Sequence, residues 1–257
     1  MSPVIAGNID VALLTFYAFV LFFIGLVIHL NRESRREGFP LEDDMTGRLD
    51  SPALINDAAR PKTFRMPFGR GTRSTADYAR EPVDLPATRE RFPGSPYRPT
   101  GNPLTDGIGP AAFANRQKVP DLDMEGHARI VPLSSIDTLW IDGQDADPRG
   151  MAAVGLDGKV AGTITDIWVD RAERIIRYLE VAIDGVAGQH VLVPMAMSTV
   201  ERRRNRVVCD ALKAEQFAGA PLAPTTGTIT FYEEERAQAY FGGGYLYATA
   251  ARQEPLI

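Results

Sequence analysis

The longest apolar run of the sequence lies close to its first residue. Residues Val11–Leu30 contain no side chain that is formally charged at neutral pH, and only Thr15, Tyr17 and His29 carry polar side-chain atoms. A helix of this length rises about 1.5 Å per residue and extends about 30 Å, which is the thickness of the hydrocarbon core of a bilayer. The pattern therefore predicts one transmembrane helix over 11–30, and no later run is long enough to predict a second.

The flanks of this run distinguish a retained anchor from a cleaved signal peptide. The first ten residues contain no Lys or Arg, and the residues that follow the run are basic and offer no small-residue cleavage site. Asp10 precedes the run, whereas Arg32, Arg35 and Arg36 follow it. The flanks therefore predict a single uncleaved span. The positive-inside rule predicts its orientation, with residues 1–10 outside and the rest of the chain in the cytoplasm.

Proline dominates the next part of the chain. Of the 19 prolines, 12 lie between Pro40 and Pro120, too closely spaced for long helices or uninterrupted strand ladders. Residues 31–127 are therefore expected to be extended. Their apolar side chains are too frequent for a solvated linker, which predicts that the segment lies on a partner. These side chains include Phe64, Met66, Phe68, Tyr78, Phe92, Tyr97 and Phe113. The basic stretch 62–80 suits either anionic lipid headgroups or a solvated loop.

From residue 128 onward, short β-branched runs alternate with turn signals, which predicts a mostly β domain over 128–257. Leu179, Val181 and Ile183 recur with a period of two, as expected for one buried face of a strand. The dipeptides Asp184-Gly185 and Arg204-Asn205 predict turns. Four or five antiparallel strands of this length are able to close into a small barrel.

The last predicted element is a short helix. The stretch FYEEERAQAYF predicts about three helical turns that end at the glycines 242–244. Within it, the run Glu233–Glu235 is interpreted as a solvated helix face. His190, in QHVLVPM, is interpreted as an exposed position on a strand.

Composition and charge narrow the classes of function. The chain has a formal net charge of −5 and a pI of about 5.3, which disfavours nucleic acid as a partner. The sequence contains three histidines and no nucleotide-binding loop, zinc-protease motif or serine-hydrolase motif, so an enzyme is not favoured. The single cysteine, Cys209, is interpreted as a small buried side chain in a reducing compartment.

Two stretches together resemble a known family. The segment IDVALLTFYAFVLFFIGLVIHLNRESRREGFPLED resembles the membrane anchor of the H subunit of the purple-bacterial photosynthetic reaction centre. The segment DIWVDRAERIIRYLEV, followed by LVPMAM and FAGAP, is similar to the cytoplasmic barrel of that subunit, from which the PRC-barrel family takes its name. The resemblance spans nearly the whole chain in the same order, including the late GGGYLYA.

The resemblance implies a subunit without pigment chemistry of its own. In the family, the H subunit caps and stabilises the cytoplasmic side of the L and M subunits and assists proton uptake to the secondary quinone. The complex holds bacteriochlorophyll, bacteriopheophytin, quinones and non-haem iron, none of them on this chain. Further partners that the resemblance implies are a cytochrome subunit, a light-harvesting antenna ring and membrane lipids. The chain would lie in the bacterial inner membrane, with residues 1–10 periplasmic.

The first candidate cluster for proton transfer is DLDMEGHARI, with Asp121, Asp123, Glu125 and His127. Carboxylates beside an imidazole exchange protons near neutral pH and also bind divalent metals, although a solvated polar turn explains the same residues. In the family an acid and two histidines form a surface point of proton uptake. Asp123 matches the acid and His127 the second histidine, but Glu125 replaces the first. A weak metal site at Asp123, Glu125 and His127 is expected, with one zinc or cadmium ligand changed.

The second candidate cluster surrounds Ile167–Val169 and contains Asp166, Asp170 and Glu173, with Arg177 four residues further on. The resemblance through WVD..E…R places Asp170, Glu173 and Arg177 near the quinone path. Desolvation would raise the pKa of such a carboxylate and the arginine would lower it, so the sequence leaves the balance open. A hydrophilic hairpin turn is the alternative interpretation.

A second function remains open at this point. Barrels of this kind also occur in ribosome maturation factors, so a membrane-anchored PRC-barrel binding or assembly module outside a reaction centre is the alternative to the reaction-centre subunit. Both hypotheses share one fold: a single N-terminal transmembrane helix, an extended proline-rich connector, a small antiparallel barrel and a short C-terminal helix.

Overall fold

The computed structural model describes residues 4–5, 9–35, 41, 43, 45–46, 48, 61–77, 86–90 and 92–253. Arg36 and Tyr78 lie outside the described residues. The chain divides into two units, one formed by Met1–Val83 with Arg89–Pro96 and the other by Asp84–Thr88 with Tyr97–Ile257.

The first unit contains the predicted apolar helix. A short antiparallel pair, β1 (Val4–Ile5) and β2 (Ile9–Asp10), precedes helix α1 (Val11–Ser34). Asp10 caps α1, because its Oδ1 accepts hydrogen bonds from the backbone N–H groups of Ala12 at 2.8 Å and Leu13 at 3.4 Å. None of the 24 residues of α1 is buried. The helix is long and apolar enough to cross a membrane, which confirms the predicted apolar helix and extends it to Ser34.

The proline-rich segment forms only short elements. In the first unit, β3 (Thr63–Arg65) and β4 (Thr72–Ser74) make a hairpin. In the second unit, β5 (Ala87–Thr88) pairs with β6 (Arg98–Pro99), and the four-residue helix α2 (Pro103–Asp106) follows. The close spacing of the prolines explains why no described element between residues 61 and 127 exceeds four residues.

The second unit contains a sheet of seven strands. These are β7 (Ile130–Pro132), β8 (Ala152–Val154), β9 (Val160–Asp170), β10 (Ile175–Ile183), β11 (His190–Pro194), β12 (Ser198–Glu201) and β13 (Arg206–Cys209). Their order is β11-β10-β9-β8-β13-β12, and β7 pairs with β9 beside this path. The mostly β domain is confirmed. One pair, β8 with β13, is parallel and so departs from the expected antiparallel arrangement. A long connection separates these two strands, and such a connection permits either direction.

The predicted strand and turns have the expected geometry. Leu179 and Val181 are each 1% exposed and lie in the main core, as the period of two predicts. Gly185 has a φ of +80° in the turn after β10, and Asn205 has a φ of +48° between β12 and β13. Both positions use the left-handed conformation that Gly and Asn adopt most easily.

The opposite face of β9 and β10 is also buried. Trp168 and Tyr178 pack with Ile130, Leu192 and Ile229 in a second apolar cluster. Burial of both faces of a strand removes the polar alternation that marks a solvent-exposed sheet, and it holds the polar ends of Trp168 and Tyr178 in fixed positions.

Helix α3 (Phe231–Tyr247) covers the core and is longer than predicted. Its first turn is closed by a capping box, in which Thr230 Oγ1 accepts from Glu233 N and the Glu233 carboxylate accepts from Thr230 N. The expectation that the helix ends at Gly242 is wrong, because α3 continues through all three glycines. A Cβ on Gly243 would lie 2.5 Å from Ala111 Cβ, and one on Gly244 would lie 2.3 Å from Ala211 O. These glycines therefore permit close packing of the helix.

Cys209 is buried at the end of β13, as predicted, and burial raises the pKa of its thiol to about 11. We expect the native chain at pH 8 to react with a thiol reagent only as fast as it opens, because the thiolate fraction is about 0.001. In urea the thiol should react immediately. The pKa of Cys209 is higher in the folded chain than in the unfolded chain. Burial of the neutral thiol therefore contributes fully to the stability of the fold below about pH 9, and this contribution is lost as the pH rises through about 11. Rapid labelling of the folded chain at pH 8 would contradict this.

Candidate functional site

Asp170 closes strand β9 and begins the turn into β10. Its side chain is 3% exposed. Oδ1 accepts hydrogen bonds from the backbone N–H groups of Ala172 at 2.9 Å and Glu173 at 3.0 Å, and Oδ2 accepts from Arg129 Nη2 at 2.6 Å. Arg174, with a φ of +56°, donates its N–H to the Asp170 carbonyl at 2.7 Å. The turn therefore holds this buried carboxyl group in one orientation.

Arg129 binds three carboxyl groups from different parts of the chain. Besides Asp170, it donates from Nη1 to Asp121 Oδ2 at 3.1 Å and from Nη2 to Glu173 Oε1 at 3.0 Å. Desolvation opposes its charge, but the hydrogen bonds with Glu173 and Asp170 outweigh it and raise the pKa of Arg129. The planar guanidinium is suited to this role, because it presents several donors in a fixed fork and stays charged.

A second cluster of polar side chains, formed by Tyr178, Glu234 and Gln238, lies between β10 and α3. Tyr178 donates its hydroxyl to Glu234 Oε2 at 2.9 Å and accepts from Gln238 Nε2 at 2.8 Å. Burial raises the pKa of Glu234, and the charges of Asp121 and Asp170 add to this effect, while Tyr178 and Arg177 oppose it. Burial also raises the pKa of Tyr178, which remains protonated near neutral pH. Glu234 is therefore a partly buried carboxyl group whose pKa is raised above its ordinary value.

A cavity of about 270 Å³ brings these two groups together. Its lining includes the residues that Arg129 binds and the residues that surround Glu234. The polar ones are Arg116, Asp121, Arg129, Asp170, Glu173, Arg177, Glu234, Glu235 and Gln238. We call this the Arg129 cavity. Of the predicted residues, Asp170, Glu173 and Arg177 all line it, and Arg177 Nη2 lies 4.0 Å from Glu234 Oε2.

The other predicted cluster forms a tight loop at a different cavity. Asp123 Oδ1 accepts from the backbone N–H groups of Glu125 at 3.1 Å and His127 at 2.8 Å, and the His127 ring Nδ1 lies 3.6 Å from Asp123 Oδ2. Desolvation works to raise the pKa of Asp123, but the hydrogen bond and charge of His127 outweigh it and lower the pKa. Asp123 and Glu125 line a cavity of about 700 Å³ together with Trp140 and Arg171.

The structure joins the acid and the imidazole of this loop but does not form a three-ligand metal site. Within the described ranges, no group of three His, Cys, Asp or Glu side chains is placed to hold a metal ion. The expected metal site at Asp123, Glu125 and His127 is therefore not assembled. Asp121, two residues earlier, faces the Arg129 cavity instead.

Asp166 does not join Asp170 and Glu173. It lies four residues before Asp170 on β9, a distance of about 13 Å along a strand. Its Oδ2 accepts the hydroxyl of Ser134 and its Oδ1 accepts the N–H of Ile167 at 2.8 Å. The predicted grouping of Asp166 with Asp170 and Glu173 is wrong, because residues four apart are neighbours on a helix and not on a strand.

His190 lies on strand β11, as predicted, but it is only partly exposed and contacts Glu180. Its Nδ1 lies 2.6 Å from Glu180 Oε1, and the other oxygen of Glu180 accepts from Trp168 Nε1 at 2.8 Å. The imidazole is partly buried, with 37% of its side chain exposed. Glu180 therefore satisfies the polar end of a tryptophan whose ring is in the second apolar cluster.

The interpretation of Glu233–Glu235 as a solvated face is also wrong. Glu233 caps α3, Glu234 accepts from Tyr178, and Glu235 lies 2.9 Å from Arg116 Nε. Helical spacing could have identified Glu234, because it shares a face with the buried residues Ala237 and Phe241. No local signal identifies Arg129, which is 41 residues from Asp170.

These observations define a class of protein: a β-sheet domain with a cavity lined by acids and arginines, in a chain that also has an apolar N-terminal helix able to span a membrane. The family model for the photosynthetic reaction centre H-chain N-terminal region matches residues 3–135, and that for the PRC-barrel domain matches residues 143–216. The chain belongs to the H-chain family of photosynthetic reaction centres.

The match decides between the two functions that the sequence left open. The H chain is a non-catalytic, membrane-anchored subunit that associates with the core subunits of the reaction centre. The PRC-barrel match agrees with the sheet of the second unit and with the predicted fold class.

Proposed function

We propose that this chain caps and stabilises the cytoplasmic side of the L and M subunits and assists proton uptake to the secondary quinone. The Arg129 cavity is the observation that supports the role in proton uptake. It gathers Asp121, Asp170 and Glu173 around Arg129, and Glu234 lines the same cavity. Proton delivery to a buried acceptor requires exchangeable groups or water within hydrogen-bond reach of one another, and a polar cavity of this kind supplies them.

The residues that line the Arg129 cavity have different roles in proton uptake. Glu173 is 56% exposed and meets bulk water, whereas Asp170 is buried directly behind it on the same Arg129 nitrogen. Arg129 does not release a proton near neutral pH, so its role is to orient the carboxyl groups. The raised pKa of Glu234 favours a group that binds and releases protons nearer to neutral pH than an ordinary glutamate does.

The Asp123–His127 loop is proposed as a second surface point of proton exchange. An imidazole exchanges protons near neutral pH, and Asp123 lies 3.6 Å from the ring of His127. Glu125 adds a carboxyl group at the same cavity. The same loop contributes to both cavities, because Asp121 lines the Arg129 cavity and Asp123 lines the other one.

The same proposal places helix α1 in the membrane and the cofactors on the other subunits. All residues of α1 are unburied, so lipid or a neighbouring helix of the M subunit must cover them. Arg32 and Arg35 at the end of α1 support an inner-membrane topology with the β domain in the cytoplasm. Bacteriochlorophyll, bacteriopheophytin, quinones and non-haem iron belong to the L and M subunits in this proposal. A cytochrome subunit and an antenna ring are further neighbours.

The substitution Glu173→Gln tests the proton-uptake proposal. We expect it to slow the second electron transfer to the secondary quinone by about tenfold or more, because that step is coupled to protonation and the amide neither accepts nor releases the proton. Flash-induced absorption changes of the assembled complex measure it, and the primary charge separation should be unchanged.

Glu215→Gln is the matched control, since Glu215 is an exposed glutamate on the same β domain and does not line the Arg129 cavity. Second-electron kinetics of Glu173→Gln that equal those of Glu215→Gln would remove Glu173 from the route.

A further inference from the structure

A separate cavity of about 550 Å³ lies on the other side of the start of α3. Three parts of the chain line it: Lys118, the loop 219–222 and the first two turns of α3. Thr230 caps the helix, and Tyr232, Glu233 and Arg236 come from its first two turns. We call it the Lys118–Arg236 cavity. It shares no lining residue with the Arg129 cavity.

Two cations of this cavity have no carboxylate partner among the described residues. Lys118 Nζ lies 5.0 Å from the ring centroid of Tyr232, and Arg236 Cζ lies 5.6 Å from the same centroid and 5.5 Å from that of Phe113. Among the residues that the structure describes, neither side chain makes an ion pair, and Arg236 Nε is buried without an acceptor. A buried donor of a charged group that lacks an acceptor is costly, so the arrangement favours an added anion.

The surroundings neutralise the two cations only in part. Among the described residues that line the cavity, Glu233 is the one acidic side chain, so two positive charges face one negative charge. The Oε2 of Glu233 accepts from Thr230 N at 2.9 Å and Thr230 Oγ1 at 2.7 Å, which holds this carboxylate at the helix cap. The cavity is also at the N-terminal end of a 17-residue helix, where the helix dipole adds positive potential. The rings of Tyr232 and Phe113 hold Lys118 and Arg236 at the cavity, and both side chains keep their positive charge.

We infer that the Lys118–Arg236 cavity binds a phosphate-type anion, either free phosphate or the phosphate of a lipid headgroup. Charge-assisted hydrogen bonds from an arginine and a lysine are the usual means of holding a phosphate oxygen. Leu222 at the rim is 64% exposed and gives a lipid chain an apolar surface beside the two cations. This site does not depend on the proposed proton route.

The test uses the full chain in an uncharged detergent and isothermal titration calorimetry. Inorganic phosphate is titrated first, then phosphatidylglycerol and phosphatidylcholine in mixed micelles. The double variant Lys118→Gln with Arg236→Gln should weaken binding about tenfold or more, since it removes both charged donors. The control, Lys159→Gln with Arg203→Gln, removes the same charges at exposed positions outside the cavity and should bind normally. Arg236→Lys keeps the charge and should retain binding if the loss in the double variant is not a folding defect.

The outcomes separate the sources of the anion. Tight binding of phosphatidylglycerol that phosphate displaces assigns a lipid headgroup, and binding of phosphate that phosphatidylglycerol does not affect assigns the free anion. No binding to the unsubstituted chain, or equal losses in the double variant and the control, would overturn the inference. It would also be overturned if the double variant lost only its association with L and M, because an acidic side chain of a core subunit would then be the partner.

Discussion

Arg129→Met is expected to destabilise the β domain by about 3 kcal/mol, because it leaves the carboxylate of Asp170 buried without its charged partner. Asp170 is 2% exposed, and a water molecule that enters from the cavity in place of the guanidinium does not supply the lost positive charge. The same substitution releases Asp121 and Glu173 from their common position at the cavity. Urea unfolding of the full chain in detergent, followed by circular dichroism, measures the change in the free energy of unfolding.

Two further variants identify the cause of this loss. Arg149→Met breaks an exposed pair, Arg149 with Asp147, and should cost less than about 1 kcal/mol. Adding Asp170→Asn to Arg129→Met should recover part of the stability, because the amide oxygen still accepts from Ala172 N and no charge is buried. If Arg129→Met costs no more than Arg149→Met, the buried carboxylate is not what Arg129 stabilises.

Gly244→Ala is expected to destabilise the chain by about 3 kcal/mol, since the new methyl group would lie 2.3 Å from Ala211 O and 2.6 Å from Leu212 Cδ2. The helix must move away from the core to admit it. Gly242 is the matched control on the same helix, because the nearest atom to its added Cβ is Met197 Cε at 3.8 Å. Gly242→Ala should therefore stabilise the helix by about 0.5–1 kcal/mol, as alanine restricts the unfolded chain.

Thermal unfolding of both variants in the same detergent decides the question. Opposite signs for Gly242→Ala and Gly244→Ala are the expected result. Equal stabilisation by both substitutions would show that α3 does not pack closely against Ala211 and Leu212. Equal destabilisation would indicate that alanine is unfavourable for another reason at every position of the glycine run.

The elements that could be predicted from the sequence are those set by local pattern. The helix over Val11–Leu30 follows from an uninterrupted apolar run, and the turn at Asp184-Gly185 follows from the conformational freedom of glycine. The length of α3 could not be predicted in this way. A glycine run ends a helix when the helix end is solvated, but Gly243 and Gly244 are buried against Ala111 and Ala211, and only tertiary contact reveals this.

The candidate site was predictable only in part. The motif that contains Asp170, Glu173 and Arg177 pointed to residues that share the Arg129 cavity. Arg129 itself is brought there by the pairing of β7 with β9, which places Ile130 opposite Asp170. Long-range strand pairing carries no local signature, so the arginine that binds three acids was missed. Glu234 was missed for a different reason: its neighbours Glu233 and Glu235 suggested a solvated charge run.

The most direct test of the account measures proton uptake itself. A pH-indicator dye in a weakly buffered suspension of the assembled complex follows the protons taken up after the second flash. In Asp170→Asn with Glu173→Gln, uptake and the second electron transfer should slow together by about tenfold or more, while charge separation and the amount of assembled complex stay unchanged. A small weak acid that carries protons into the cavity should restore the rate. Uptake as fast as in the Glu215→Gln control would contradict a role for this chain in delivering protons to the quinone.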